Sequence, residues 1–294
     1  MTFKRKSKDL NQYFSLRESL IRFLREDIAT GDLTSEYTVD KNLESSSVII
    51  CKSESAVVAG LEEARTIFDI CKCDSKALVK EGAVVKKGSR VMTVKGNTRS
   101  ILKSERTALN LMMRMSGIAT DTKKYVDIVR AISKNIKITG TRKTAPGLRY
   151  FDKKAIELGG GHAHRKTLDE MILIKDNHLA VTKSIGQAIS MARQKAGKNI
   201  LIECEVIDTK SSLEAIKSGA DIIMLDNFSP QRAEKTIAYL KKSGLRKKIL
   251  IEISGGVNLS NIKDYAYALP DMISIGSLTH SSKSIDFSME MEGI

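Results

Sequence analysis

The sequence has few aromatic residues and no long apolar run. Phe, Trp and Tyr together make up 5% of the chain, so stacking platforms for nucleic acid bases are scarce. A transmembrane helix needs about 18 or more consecutive apolar residues, and no such stretch occurs. The basic segment at residues 1–8 lacks the apolar core and cleavage site of a secretory signal. We therefore expect a cytoplasmic protein with no membrane partner.

Cysteine is also scarce. The chain has Cys51, Cys71, Cys73 and Cys204, and none of them forms a C-x-x-C pair. Cys71 and Cys73 are too close in sequence for an ordinary disulfide. We expect reduced, partly buried thiols rather than a zinc site.

Positive charge is in excess, with 49 Lys and Arg against 35 Asp and Glu, a formal net charge of +14. Such a balance suits nucleic acid, anionic lipid or small anionic substrates. The basic residues are spread out, apart from small clusters at residues 4–8 and 241–248, and no nucleic-acid-binding motif accompanies them. We expect no nucleic acid partner, although a basic nucleic-acid-binding protein is the rival from another class. The basic arm at residues 4–8 is predicted to be a solvated, disordered tail.

The first part of the chain combines helices with short strands. Tyr13, Leu16, Leu20 and Leu24 recur at helical spacing. Glycines flank the pair Val84–Val85 in a pattern that predicts a tight turn. A long helix is predicted from Lys103 to Met115. Short strands are predicted at residues 47–51, 56–59, 77–79 and 91–94.

Past residue 116, six runs rich in β-branched or aliphatic residues predict strands. These runs lie at 136–138, 172–174, 200–202, 222–225, 249–253 and 272–275. Helix-like stretches occupy most of the intervals, which is the pattern of βα units in a parallel sheet. The apolar strands favour a barrel, although the periodicity alone leaves an open sheet as the alternative.

Charged residues or glycines lie at the end of each predicted strand. In strand order they are Thr141, Arg142 and Lys143; Lys175; Glu203 and Glu205; Asp226; Ser254, Gly255 and Gly256; and Gly276. The carboxyl ends of the strands of a parallel barrel open onto one face, which holds the active site. We therefore expect these residues to form one site.

The residue types at these ends indicate anionic ligands. The backbone N–H groups of the Ser254–Gly256 turn and Gly276 suit phosphate. Glu205 and Asp226 suit Mg²⁺, held directly or through water, and salt bridges to nearby lysines are the alternative for each.

The cations Arg142, Lys143, His164, Arg165 and Lys175 repel one another and need an anion. Each charge-assisted hydrogen bond to such an anion is worth about 1.5–3 kcal/mol. No nucleophile–base dyad is evident, so we expect binding and positioning of charge to carry catalysis.

Several sequence strings resemble the quinolinate phosphoribosyltransferase family in order and spacing. They are residues 26–34, 105–110, 116–120, 140–147, 159–161 with His164-Arg165, 173–178, 225–227 and 254–256. The resemblance runs from about residue 25 to about residue 290. It is specific because the strings are long and occur in the same order as in the family.

The resemblance implies a two-domain α/β fold and a phosphoribosyl transfer. Residues 1–115 would form an N-terminal α/β sandwich, and residues 116–294 an incomplete α/β barrel of about six strands. Whether the last C-terminal helices pack back on the first domain is left open. The implied assembly is a homodimer with a shared active site, and the sequence leaves open whether dimers form hexamers.

The implied reaction joins quinolinate to phosphoribosyl pyrophosphate and releases pyrophosphate and carbon dioxide, which yields nicotinate mononucleotide. The residues implied to bind quinolinate are Arg142, His164, Arg165 and Lys175, with Arg106 from the neighbouring subunit. Those implied for phosphoribosyl pyrophosphate are Thr141, Lys143, Ser254, Gly255, Gly256 and Gly276, with Glu205 and Asp226 serving the ribose and Mg²⁺. Lys143, Lys175, Glu205 and Asp226 are the implied catalytic residues.

Departures from the family pattern occur at Ala145, Ala163 and Lys166–Thr167, and they concern loop shape rather than the charged residues. A paralogous group found with molybdenum transport is the alternative on the same fold. Members of that group usually lack the complete Lys-Asp-Asn-His string, which is intact here at residues 175–178.

Overall fold

The computed structural model describes residues 9–292, with side chains described from residue 16 onward. The basic arm at residues 4–8 and the side chain of Tyr13 lie outside the described residues. Contacts divide the chain into two compact units, Met1–Thr120 with Lys283–Ile294, and Asp121–Ser282. Within the described residues, no helix has the length and apolar character needed to span a bilayer.

The first unit contains antiparallel strands and helices. Its helices are α1 (Asp9–Ile28), α2 (Leu33–Thr38), α3 (Leu61–Ile70) and the start of α4 (Thr98–Arg130). Its strands are β1 (Glu44–Cys51), β2 (Ser55–Val57), β3 (Asp74–Ala77), β4 (Val84–Lys86) and β5 (Arg90–Asn97). Leu20 and Leu24 of α1 are buried, as their helical spacing predicts. The glycines flanking Val84–Val85 lie in turns at residues 81–82 and 87–88, and the valines between these turns form β4, which pairs with β2.

Helix α4 is longer than predicted at both ends and comprises 33 residues. The sequence-based domain boundary at residue 115 falls inside this helix, whereas the contact boundary follows Thr120. Polar Ser116 is accommodated in the buried helix because its hydroxyl bonds both backbone groups of Ala59, at 2.9 Å to the N–H and 3.1 Å to the carbonyl. A helix end at Met115 is therefore wrong.

The second unit alternates strands and helices. Its strands are β6 (Lys137–Gly140), β7 (Ile172–Ile174), β8 (Ile202–Val206), β9 (Ile222–Asp226), β10 (Leu250–Ser254) and β11 (Met272–Ile275). Its helices are α5 (Arg149–Leu158), α6 (Asp176–Leu179), α7 (Ile185–Ala196), α8 (Thr209–Lys217), α9 (Pro230–Lys242), α10 (Ile262–Tyr267) and α11 (Ser277–His280), with a 3₁₀ turn at Arg246–Lys248.

The six strands form one parallel sheet in the order β6-β11-β10-β9-β8-β7. Although β6 and β7 are consecutive along the chain, they occupy opposite edges, so the barrel is open between them. The isolated parallel bridge from Thr139 to His162 lies at the β6 edge of this opening. The prediction of an incomplete α/β barrel of six strands is confirmed.

Capping residues fix where the helices begin after β8 and β9. Asp208 accepts a hydrogen bond from the backbone N–H of Ser211 at the start of α8, and Ser229 accepts one from Arg232 at the start of α9. Each cap satisfies a backbone donor that the first helical turn leaves unpaired. The loops between strand and helix are therefore short and hold the strand-end residues in place.

The C-terminal segment returns to the first unit as β12 (Phe287–Glu292), which pairs antiparallel with β1. The resulting four-stranded sheet has the order β12-β1-β5-β3. Apolar Phe287, Met289 and Met291 alternate with polar residues, a period of two that suits a strand with one buried face. The sequence interpretation placed this C-terminal segment with the barrel. It considered only C-terminal helices, not a strand, as elements that pack back on the first domain.

We predict that Phe287→Ala destabilises the protein and that Met291→Ala does not. Phe287 is 3% exposed, whereas Met291 on the same strand is 40% exposed. Removing a buried phenyl ring should lower the free energy of unfolding by about 3–5 kcal/mol, against about 0.5 kcal/mol for the exposed control. Chemical denaturation measures both. Equal costs would contradict the packing of β12 on the first unit.

Candidate functional site

A cavity of about 510 Å³ lies at the carboxyl ends of the strands of the second unit. Of the predicted site residues, it is lined by Thr141, Arg142, Lys143, His164, Arg165, Lys175, Glu205, Asp226, Ser254, Gly255 and Gly256. Gly276 lines a second cavity of about 320 Å³ that shares Thr141, Lys143 and the Ser254–Gly256 turn with the first. The parallel sheet therefore gathers residues that are far apart in sequence.

Arg106 belongs to the first unit and lies on α4. Its side chain is 57% exposed, and its Nη2 atom lies 3.5 Å from Oε1 of Glu105. Its part in a binding site stays a prediction.

The cationic side chains of the cavity have hydrogen-bond acceptors within the protein for only some of their N–H groups. Arg165 is buried and donates from Nη1 to the carbonyl of Met171 at 3.2 Å. Burial and the neighbouring charge of Arg142 lower the pKa of Arg165. Nε of Arg142 is buried and has no hydrogen-bond partner among the described residues. A buried donor without a partner is costly, so this group suits an incoming anion.

The two carboxylates at the ends of β8 and β9 interact unfavourably. Burial and the negative charge of Asp226 raise the pKa of Glu205 to about 7, although Lys175 opposes the shift. The Lys175 ammonium lies 3.9 Å from Oε2 of Glu205, too far for a hydrogen bond. The carboxylates of Glu205 and Asp226 can therefore bind a further cation, and carboxylate oxygens suit Mg²⁺.

The glycine turn after β10 depends on its backbone conformation. Gly255 and Gly256 have φ of 89° and 65°, in the left-handed region that favours glycine. A Cβ on Gly255 would lie 2.3 Å from Oδ1 of Asn227, whereas one on Gly256 would meet nothing within 4 Å. The backbone N–H of Asn227 also donates to the carbonyl of Ser254 at 2.9 Å. The ends of β9 and β10 are thus locked together.

Two buried carboxylates lie beside His164, which itself lines this cavity. Nε2 of His164 lies 3.0 Å from Oε2 of Glu252 and 3.4 Å from Oε2 of Glu203. Burial disfavours the imidazolium, but the hydrogen bonds and charges of the two glutamates outweigh burial and raise the pKa of His164 from its ordinary value of 6.5 to about 10. His164 is therefore positively charged at neutral pH.

Our sequence reasoning missed Glu252 and assigned Glu203 no role. Both signals were present in the sequence. Glu252 interrupts an otherwise apolar strand, and an acidic residue is rarely fully buried unless it is paired. Glu203 precedes Glu205 by two residues, which places the two side chains on one face of β8.

Lys153 is a further residue that sequence reasoning missed. It is 1% exposed, and its ammonium donates to the carbonyls of Gly140, at 3.0 Å, and of Ala163. Burial and the charges of Arg149 and Lys166 lower the pKa of Lys153 to about 8. Lys153 joins the end of β6 to the segment that carries His164.

Comparisons with known proteins agree over nearly the whole chain. The N-terminal and C-terminal domain models of quinolinate phosphoribosyl transferase match residues 32–116 and 118–290. A probable nicotinate-nucleotide pyrophosphorylase (carboxylating) of Archaeoglobus fulgidus is 40% identical over 261 residues, which covers 89% of this chain and 98% of that protein. The nicotinate-nucleotide pyrophosphorylase (carboxylating) of Homo sapiens is 33% identical over 80% of this chain and 78% of its own length. The crystal structure of NadC from Streptococcus pyogenes superposes with a TM-score of 0.88 at 35% identity and covers 97% of this chain and 98% of that one.

We predict that Gly255→Ala is more harmful than Gly256→Ala, although both residues share a left-handed backbone. Placing alanine in this conformation costs about 1–2 kcal/mol at either position. Only Gly255 adds a clash with Asn227, for which overpacking predicts about 1–3 kcal/mol more. Thermal unfolding of the two variants measures the difference. Indistinguishable stabilities would contradict the close approach of the two turns.

Proposed function

The chain belongs to the quinolinate phosphoribosyl transferase family, and on this premise we propose that it transfers the phosphoribosyl group of phosphoribosyl pyrophosphate to quinolinate. The products are nicotinate mononucleotide, pyrophosphate and carbon dioxide, so the protein is a pentosyltransferase of NAD biosynthesis. The observation that carries this proposal is the single cavity in which arginine, histidine and lysine side chains meet a glycine turn and a carboxylate pair. The four free, buried cysteines agree with a reducing, cytoplasmic location.

Quinolinate carries two adjacent carboxylates and occupies the cationic part of the cavity. Arg142, His164, Arg165 and Lys175 bind these carboxylates. The partnerless Nε of Arg142 and the charge on His164 support this assignment, because both groups gain from an anionic ligand. The set carries more positive charge than one carboxylate neutralises.

Phosphoribosyl pyrophosphate occupies the remaining part of the cavity, next to the second cavity that contains Gly276. The two cavities share lining residues there. Its phosphates are bound by Thr141, Lys143, Ser254, Gly255, Gly256 and Gly276. The glycines leave backbone N–H groups open to phosphate oxygens. Glu205 and Asp226 bind the ribose and would hold Mg²⁺, directly or through water. The mutual repulsion of these two carboxylates supports the binding of a cation there.

The reaction proceeds by displacement followed by decarboxylation. The pyridine nitrogen of quinolinate bonds to the anomeric carbon of the ribose, and the carbon–oxygen bond to pyrophosphate breaks. The alkylated nitrogen is cationic and stabilises the electron pair left on the ring carbon when the adjacent carboxylate departs as carbon dioxide, after which that carbon takes a proton. The side chains hold the two substrates in contact, and Mg²⁺ when bound neutralises charge on the leaving pyrophosphate.

Product analysis tests the proposal. Purified protein supplied with quinolinate labelled in the 2-carboxylate, phosphoribosyl pyrophosphate and Mg²⁺ should release labelled carbon dioxide and form nicotinate mononucleotide in equal amounts. Equality is expected because each nitrogen alkylation leads to one decarboxylation. If folded wild-type protein forms no nicotinate mononucleotide in this assay, the proposed function is overturned.

A chelator should abolish turnover, and added Mg²⁺ should restore it. Asp226→Asn should raise the Mg²⁺ concentration needed for half-maximal activity by about tenfold or more, since the loss of one anionic ligand costs about 1.4 kcal/mol or more. The control Asp264→Asn removes an equal charge from the exposed side of α10 and should leave the Mg²⁺ requirement unchanged. Full activity of wild-type protein in excess chelator would remove the metal from the mechanism.

We further propose a homodimer in which Arg106 serves the partner's active site, an arrangement that two-fold symmetry permits. Arg106→Ala and Lys175→Ala should each be nearly inactive alone. Lightly denatured together and reassociated, they should form mixed dimers in which one site carries both lesions and the other carries neither. Random pairing makes about half of the dimers mixed, so about a quarter of wild-type activity should return.

Reassociation is verified by mass spectrometry of subunits labelled with different isotopes. If mixed dimers form and activity stays at the level of the single variants, Arg106 acts within its own subunit and the shared-site proposal fails.

A further inference from the structure

A directional chain of hydrogen bonds crosses three adjacent strands beneath His164. Ser274 on β11 donates to Oε1 of Glu252 on β10 at 2.5 Å, because a carboxylate only accepts. The hydroxyls of Thr139 on β6 and Ser274 also lie 2.5 Å apart. Since Ser274 donates its one proton to Glu252, Thr139 is the donor in this second pair, which is shorter than the 3.4 Å from the Thr139 hydroxyl to its other acceptor, the carbonyl of Ile273. The other oxygen of Glu252 accepts from Nε2 of His164 at 3.0 Å.

Every member of this chain below His164 is buried. Thr139, Ser274 and Glu252 are 2%, 4% and 0% exposed. An ionised carboxylate buried to this extent is costly unless it is paired and hydrogen-bonded, and here the pairing partner is His164. A buried carboxylate that is held on both oxygens has little freedom to move, so it fixes the ring that it binds.

The backbone at His164 needs such fixing. Its φ is 55°, a left-handed conformation that is uncommon for residues other than glycine. Backbone conformations of this kind persist where the surroundings determine them, and they concentrate at binding sites. The bond to Glu252 and the tether from Lys153 to the carbonyl of the preceding Ala163 supply these surroundings.

The geometry points to Glu252 as a positioning residue for quinolinate: oriented by Ser274, it holds the Nε2 side of His164 so that Nδ1–H is left to bind a quinolinate carboxylate. This inference rests on the proposed function. A charged imidazole has two N–H donors, and Glu252 occupies one of them. Since His164 lines the cavity, the second donor is the one available to substrate. Glu252 and Ser274 also line the cavity, but both are buried, so we place their effect on quinolinate in the orientation of His164.

Glu252→Gln is the direct test, because it keeps the shape of the side chain and removes its charge. The KM for quinolinate should rise about tenfold or more, the loss expected for one charge-assisted hydrogen bond. The KM for phosphoribosyl pyrophosphate should change little. Loss of the buried ion pair lowers the melting temperature, so both KM values are measured well below it. The control Glu234→Gln makes the same substitution on the exposed side of α9 and should behave as wild type.

Ser274→Ala is the second variant, and it guards against a Glu252 variant that fails to fold. It removes one hydroxyl and leaves Glu252 in place, so the KM for quinolinate should rise by a smaller factor, about threefold, while that for phosphoribosyl pyrophosphate is unchanged. Equal rises in both KM values, or a loss of kcat with neither KM changed, would overturn the positioning role.

Nuclear magnetic resonance of the substrate-free protein reports the protonation of His164. A purely structural role for Glu252 would leave this protonation unchanged in the Glu252→Gln variant. The chain has four histidines, so ¹⁵N-histidine labelling with a His164→Asn reference spectrum identifies the His164 signals. At pH 8 His164 should be doubly protonated in wild type and Glu234→Gln, and singly protonated in Glu252→Gln. A singly protonated His164 in wild type would overturn the inference, as would one equivalent of tightly bound transition metal, because a metal-bound Nε2 carries no proton.

The same experiments separate the two proposals. Wild-type protein that makes no nicotinate mononucleotide from quinolinate contradicts the proposed function. Wild-type protein that makes it, together with a Glu252→Gln variant whose KM for quinolinate is unchanged, contradicts only the inference about Glu252.

Discussion

Repulsion among the cations at the strand ends is the constraint on which the candidate site depends. Arg142, Arg165 and Lys175 line one cavity, and burial strengthens the interaction between such charges because it lowers the local dielectric. Buried Glu252 opposes this repulsion from beneath His164, where it accepts from Nε2 at 3.0 Å, whereas burial and the charge of Glu252 raise the pKa of the neighbouring Glu203. The protein thus offsets part of the repulsion, and it leaves the partnerless Nε of Arg142 for a ligand.

The open barrel makes this arrangement possible. A closed sheet would pair β6 with β7, whereas here they form the two edges. The segment of His162–Arg165 lies along the β6 edge through its bridge to Thr139, and Lys153 anchors it through the carbonyl of Ala163. The cations thus come from strand ends and from a segment at the barrel opening, so they approach the ligand from different directions.

The repeating strands could be predicted from the sequence because their pattern is local. Each apolar run is short and is followed by a helix, and Asp208 and Ser229 cap the helices after β8 and β9. The charged strand ends followed from the rule that parallel strands share one active face, and the cavity brings them together. The family strings added the roles that residue types alone left open.

Other features depend on partners distant in sequence and could not be predicted in this way. Ser116 lies within α4 because the backbone of Ala59 satisfies its hydroxyl. Strand β12 forms because it pairs with the edge of β1 that β5 leaves unpaired. The link between Ser274 and Glu252 spans 22 positions, and that between Glu252 and His164 spans 88. No local pattern reports such pairs, although an acidic residue inside an apolar strand indicates that a partner exists.

We propose that the cavity recognises two adjacent carboxylates through a surplus of fixed positive charge. The ratio of kcat/KM for quinolinate to that for nicotinate, which has one carboxylate fewer, tests it most directly. A lost charge-assisted interaction of about 1.5–3 kcal/mol corresponds to a preference for quinolinate of about 10- to 100-fold or more. Comparable values for the two acids would contradict the account.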